Sequence, residues 1–190
     1  MNKFKTAKKV INGVEYVAQF SGVGLQAEAI DSCYMDGTNI TSDEKLAQFL
    51  LDNVIVEPKL KINDFGADKI GEEQTKTING VEYTAKFGGL LNVSRMKDSC
   101  YIDGTQNISL RKMNKYVLDH AFVKPENISE DDFEDADTYN KVIAFGREAM
   151  EGGEVSKTFN EVIEFATEVM MGTYFRQEAD RQADKGKGKK

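Results

Sequence analysis

The sequence predicts an α+β protein made of two similar units, and three observations carry that expectation. Asn-Gly dipeptides at 12–13 and 79–80 sit between β-forming residues, the best short signal for a hairpin, because both central residues of its two-residue turn need positive φ. Apolar residues at helical spacing follow each hairpin and dominate the last part of the chain. Most telling, Ile11–Phe20 (INGVEYVAQF) recurs 67 residues later as Ile78–Phe87 (INGVEYTAKF). At that offset 22 of the 48 positions from Ile11 to Pro58 are identical, far above chance, so the repeat sets the architecture. The expected organisation is a first unit at 1–66, a second at 67–135, a C-terminal helical pair at 136–182 and a disordered Lys/Gly tail at 183–190. Like units that pack through like faces, as homodimers do, predict an approximate twofold between them.

In each unit the hairpin comes first. Val14, Tyr16 and Ala18 alternate with Glu15, Val17 and Gln19, as a half-buried strand does. A short helix follows, at about Leu25–Tyr34 and Leu91–Tyr101, halted by Asp-Gly-Thr, where Gly37 and Gly104 can take a left-handed conformation. The next helix starts near Thr41, which has capping-box spacing to Glu44, and in the second unit at Ser109. Leu46, Phe49 and Leu50, and likewise Met113, Tyr116 and Val117, give these helices an apolar face. Extended segments then run over Val54–Pro58 and Ala121–Pro125, each proline biasing its predecessor away from helix.

Ser129 and Asp132 mark a further helix start, with Ile128 and Phe133 spaced as a hydrophobic staple. The stretch Glu126–Asp137 holds seven acids and no base, which suits helix N-termini and solubility and leaves a docking site for a basic partner as the alternative. The last helices are expected at Thr138–Glu151 and Val155–Gln182. They form a second repeat, since Thr138–Phe145 (TYNKVIAF) resembles Thr158–Phe165 (TFNEVIEF) at an offset of 20. Their apolar stripes are wide. Phe145, Phe159, Ile163 and Met170 are therefore the candidate residues for gripping a partner helix or sister subunits.

Composition narrows the function. At 190 residues and 21.2 kDa the chain can bury a core in one full domain or two small ones. The net charge of −7, from 25 basic and 32 acidic residues, disfavours a broad nucleic-acid surface. No apolar run approaches the ~18–20 residues of a membrane span, and the basic first residues lack the apolar stretch of a secretory signal. Intracellular residence without membrane or nucleic-acid partners is expected. One histidine, two cysteines and no tryptophan supply catalysis poorly.

Motifs point the same way. No P-loop, nucleophile elbow, HExxH or CxxC pattern occurs. The segments Asp31–Thr38 (DSCYMDGT) and Asp98–Thr105 (DSCYIDGT) are duplicated. Cys33 and Cys100 read as small buried apolar residues with reduced thiols. The rival reading is a metal- or small-ligand-binding regulator using Asp31, Cys33, Asp36, Asp98, Cys100 and Asp103, or paired carboxylates for acid–base work. His120 has no histidine partner. Asn39, Asn92, Asn107 and Asn127 stand in glycosylation sequons but read as polar clusters at helix starts. No enzyme, cofactor or metal is expected.

Taken together, Asn12–Tyr16 (NGVEY), Leu50–Asn53 (LLDN), Val54–Lys59 (VIVEPK) and Asn63–Phe65 (NDF), with Val117–Asp119 (VLD), Val123–Pro125 (VKP), Asp131–Phe133 (DDF) and Val142–Phe145 (VIAF), resemble the tail-assembly chaperones of long-tailed bacteriophages and prophages of Gram-positive bacteria. Members usually carry one such unit, whereas this chain carries two. The resemblance implies a non-catalytic protein of the bacterial host cytoplasm, absent from the finished virion, that coats the tape-measure protein and recruits tail-tube subunits. Duplicated units would make it bivalent, and a homo-oligomer is expected as a further possibility. A structural tail or connector subunit is the alternative.

Overall fold

The computed structural model describes residues 5–102, 105 and 107–177 and bears out the α+β expectation, with two three-stranded antiparallel sheets and helices packed against them. In the first unit, β1 (Lys5–Ile11) and β2 (Val14–Phe20) pair about Asn12-Gly13, whose φ values of 47° and 79° are those a type I′ turn demands. Then come α1 (Val23–Cys33), α2 (Asp43–Asn53) and β3 (Ile55–Glu57), which adds to β2 with a register shift between Val17 and Ala18. The second unit repeats this order. Strands β4 (Glu73–Ile78) and β5 (Val81–Lys86) turn at Asn79-Gly80, α3 (Leu90–Ser99) and α4 (Leu110–Ala121) follow, and β6 (Phe122–Lys124) joins β5 with its shift between Thr84 and Ala85. A 3₁₀ turn, Ile62–Asp64 or Glu130–Asp132, closes each unit, and another, Ala67–Lys69, links the two.

Several boundaries move for local reasons. Thr41 does not cap α2, because it bridges in extended pairing to Tyr34; the cap falls one residue later on Ser42, whose hydroxyl accepts from the Lys45 N–H at 3.0 Å. Ser109 caps α4 as expected, accepting from the Lys112 N–H. The helix expected from Ser129 is only the 3₁₀ turn, and α5 (Ala136–Glu151) starts afresh from Asp135, which accepts from the Thr138 N–H at 2.8 Å. Helix α6 (Glu154–Met170) is broken by a turn through Gly172 with φ 70°, helix resumes over 173–177, and the expected end at Gln182 lies outside the described residues. Asp103, Gly104 and the tail at 183–190 lie outside the described residues.

The C-terminal helices are not a layer of their own. Helix α5 packs on β4, β5 and α4 of the second unit, while α6 returns to β1, β2 and α2 of the first. Matching contacts follow. Asn79 donates to the Thr138 hydroxyl and Asn12 to the Thr158 hydroxyl; the Lys76 ammonium lies over the Phe145 ring and that of Lys9 over Phe165; Phe133 meets Tyr139 edge-on, as Phe65 meets Phe159. The repeats at offsets of 67 and 20 thus combine into one discontinuous module: hairpin, two helices, short strand, 3₁₀ turn and a helix from the end of the chain. One contiguous core holds Ile11, Leu50, Leu51, Ile55, Met96, Val117, Val142 and Phe165, among others.

The expected twofold is replaced by a head-to-tail arrangement. Helix α2 and the 3₁₀ turn Ile62–Asp64 of the first unit meet α3 of the second, whereas α4 and α1 make no comparable contact. Unlike faces join.

Packing density decides how glycines respond. Gly146 lies inside α5, and a Cβ there would come within 2.5 Å of the Phe122 ring and 2.8 Å of Val117 Cγ1. Gly146→Ala should cost about 1–3 kcal/mol from overpacking, outweighing the ~1 kcal/mol helix-propensity gain. Gly24→Ala in α1, where a Cβ meets nothing within 4 Å, should stabilise by up to about 1 kcal/mol. Urea unfolding of both variants checks the opposite signs.

Candidate functional site

The wide stripes of α5 and α6 are consumed by the core. Phe145, Phe159 and Met170 are 5%, 8% and 6% exposed, and Ile163 is half-buried against the same cluster. Phe159 stacks edge-on to Phe65 at 5.2 Å, and Phe145 stands 6.3 Å from the Phe122 ring. The expectation of an outward grip is therefore corrected for Phe145, Phe159 and Met170, whereas Ile163 keeps part of its side chain exposed. Each sheet needs one of these helices over its buried face, which is why the stripes are broad.

The duplicated Asp-Ser-Cys-Tyr segments resolve into separate structural tasks. Cys33 and Cys100 are buried free thiols, each beside the preceding serine hydroxyl at 3.9 Å, and burial raises both thiol pKa values. Asp36 is exposed and paired with the Lys45 ammonium at 2.8 Å, which lowers its carboxyl pKa. Lys45 also donates to the Tyr34 carbonyl, and Lys112 does the same to Tyr101. His120 stacks on Tyr116, with ring centroids 4.0 Å apart. Among the described residues no group of three or more His, Cys, Asp or Glu side chains is placed to hold a metal ion. No helix among them is long and apolar enough to cross a membrane.

Asp98 has a role that its twin Asp31 lacks. Its carboxylate accepts from the Ser42 hydroxyl, from the Asp43 N–H at 2.8 Å and from the Glu44 N–H at 3.3 Å, so α3 supplies an anion to the N-terminus of α2 across the junction between units. Arg95 reaches Glu44 through Nε at 3.0 Å, and Lys97 lies 3.5 Å from Asp43. These ion pairs are partly exposed, so they fix register more than they add stability. The apolar part of α3 comes from Leu90, Val93 and Met96, all buried.

Among the described residues, nothing covers the matching position in the second unit. Where unit one carries α3, unit two has a groove of about 430 Å³ over the start of α4 and the Glu130–Asp132 turn, lined by Arg111, Asn114, Glu130, Phe133 and Tyr139 among others. Arg111 is almost fully exposed and 3.7 Å from Glu130. Much of the acidic stretch is engaged locally: Asp132 bonds back to Ser129, Asp135 caps α5, and Asp137 pairs with Lys141.

Positions where the copies agree do not reveal this junction. Its signal lay where they differ: Glu28 stands where Arg95 does, and Glu44 where Arg111 does.

Two measurements follow. Asp98→Ala should lower stability by about 1–3 kcal/mol, since it strips a charged acceptor from three donors, whereas Asp31→Ala in dilute solution should stay within about 0.5 kcal/mol; urea midpoints compare them. Both native thiols should react with a disulfide reagent far more slowly than in unfolding concentrations of guanidinium, because each is covered and kept protonated. Comparison with protein-family models, curated proteins and solved structures returns no match.

Proposed function

We propose that this chain is a non-catalytic assembly protein of the kind its sequence resembles: a tail-assembly chaperone of the bacterial host cytoplasm that holds a tape-measure protein, helps recruit tail-tube subunits and is left out of the finished particle. The supporting observation is a surface presented twice. Val14 and Val81 occupy matching positions beside the two Asn-Gly turns, exposed at 45% and 46%, each followed by an exposed glutamate, Glu15 or Glu82. A client with repeated helical turns would meet the same apolar and acidic pair at both hairpins, and linked weak contacts raise apparent affinity through effective concentration. The buried stripes of α5 and α6 hold the hairpins in place instead of touching the client. A structural tail or connector subunit is the second reading, favoured by the head-to-tail junction, since heterologous contacts suit ring or tube building.

Co-expression with the tape-measure protein is the test. The client should become soluble and co-purify; Val14→Glu or Val81→Glu alone should weaken recovery modestly, and the double variant by more than the two single losses combined. A client whose solubility ignores this protein overturns the chaperone reading, and finding the chain in purified particles replaces it with the structural one.

A further inference from the structure

The α2–α3 junction joins unlike faces, so among the described residues it leaves one copy of each face unused. One unused face is α1, the counterpart of α3. The other is the start of α4, the counterpart of α2, with the groove beside it. On α1, Val23 is 75% exposed although its counterpart Leu90 on α3 is 1% exposed.

The substitutions on these free faces are reciprocal. Within the chain Arg95 pairs with Glu44; at the matching free positions stand Glu28 and Arg111, the same pair with its charges exchanged. Within the chain Lys97 faces Asp43; at the free positions stand Ile30 and Leu110, 57% and 69% exposed, an apolar pair in place of an ionic one. Asp98 binds the start of α2 through Ser42, and Asp31 and Ser109 are retained at the free positions. Each change on one face is answered on the other.

We propose that the free α1 face of one chain docks on the open α4 face of a second copy, continuing the α2–α3 junction head to tail. Charge sets the order. At matching positions the start of α4 carries Leu110 and Arg111 and suits Ile30 and Glu28 of α1, whereas the start of α2 carries Asp43 and Glu44 and suits Lys97 and Arg95 of α3. Exchanging α1 for α3 would set like charges opposite each other, so internal and external junctions do not compete. A contact of this kind never satisfies itself: each added chain exposes a new α1 or α4 end, and the product closes as a ring or grows as a filament. This inference goes beyond the chaperone reading and requires no client.

Sedimentation and light scattering of the purified full chain, without client, test it. Wild-type mass should rise with concentration past that of a dimer. Glu28→Arg and Arg111→Glu should each hold the protein at monomer mass, with association weakened more than about tenfold by the facing like charges. An equimolar mixture of the two variants should assemble again, because each variant's altered face complements the other's and the unaltered faces still match. That recovery also shows that both variants are folded, as would unchanged circular dichroism. A wild-type chain that stays monomeric at every concentration overturns the proposal. So does an assembly that ignores both substitutions, or a mixture of folded variants that stays monomeric.

Discussion

A three-stranded sheet with one apolar face has to cover that face, and here each sheet does so with one of the two C-terminal helices, the first sheet with α6 and the second with α5. Ala7, Ile11, Tyr16 and Ala18 form the buried side of the first sheet and lie against α6; Ile78, Tyr83 and Ala85 do the same under α5. Much else depends on this constraint. It explains why the terminal helices resemble each other at an offset of 20, why Thr138 and Thr158 each bond to a turn asparagine, and why a lysine lies over Phe145 and over Phe165. The two sequence repeats, read as separate features, belong to one module cut by the path of the chain.

Local structure was legible where a single residue type decides it. Asn-Gly turns, the Ser109 cap and the extended runs before Pro58 and Pro125 follow from backbone preferences and fell where expected. Thr41 misled because its helix-capping chemistry competes with a bridge to Tyr34, and only the folded chain shows which prevails. The apolar stripes misled differently. Helical periodicity reports that a face is apolar, not whether a sheet or a partner covers it, so Phe145, Phe159 and Met170 pointed to an outward role that the sheets claim instead. The junction was hidden for a third reason. Its residues are those that differ between the copies, and a search for repeats discards them.

The residues that looked most chemical have mechanical duties. Asp98 anchors one unit to the other, Asp36 and Lys45 brace the turn after α1, and the cysteines fill the core beneath α1 and α3. The surface, by contrast, is arranged in matched pairs: Val14 with Val81, Glu28 with Arg111, Ile30 with Leu110. The proposed contacts through such pairs draw on shape, hydrophobic contact and charge order.

The return of α6 to the first sheet also reverses the order in which the molecule can be finished. A ribosome releases β1 and β2 first, yet their covering helix, Glu154–Met170, emerges only after the second module has received everything it needs through Glu151. The later-made half can therefore mature while the earlier-made half waits with an apolar sheet face uncovered, the reverse of the usual progression from the N-terminus. The chain's own leading segment is thus the first nascent surface in need of shelter.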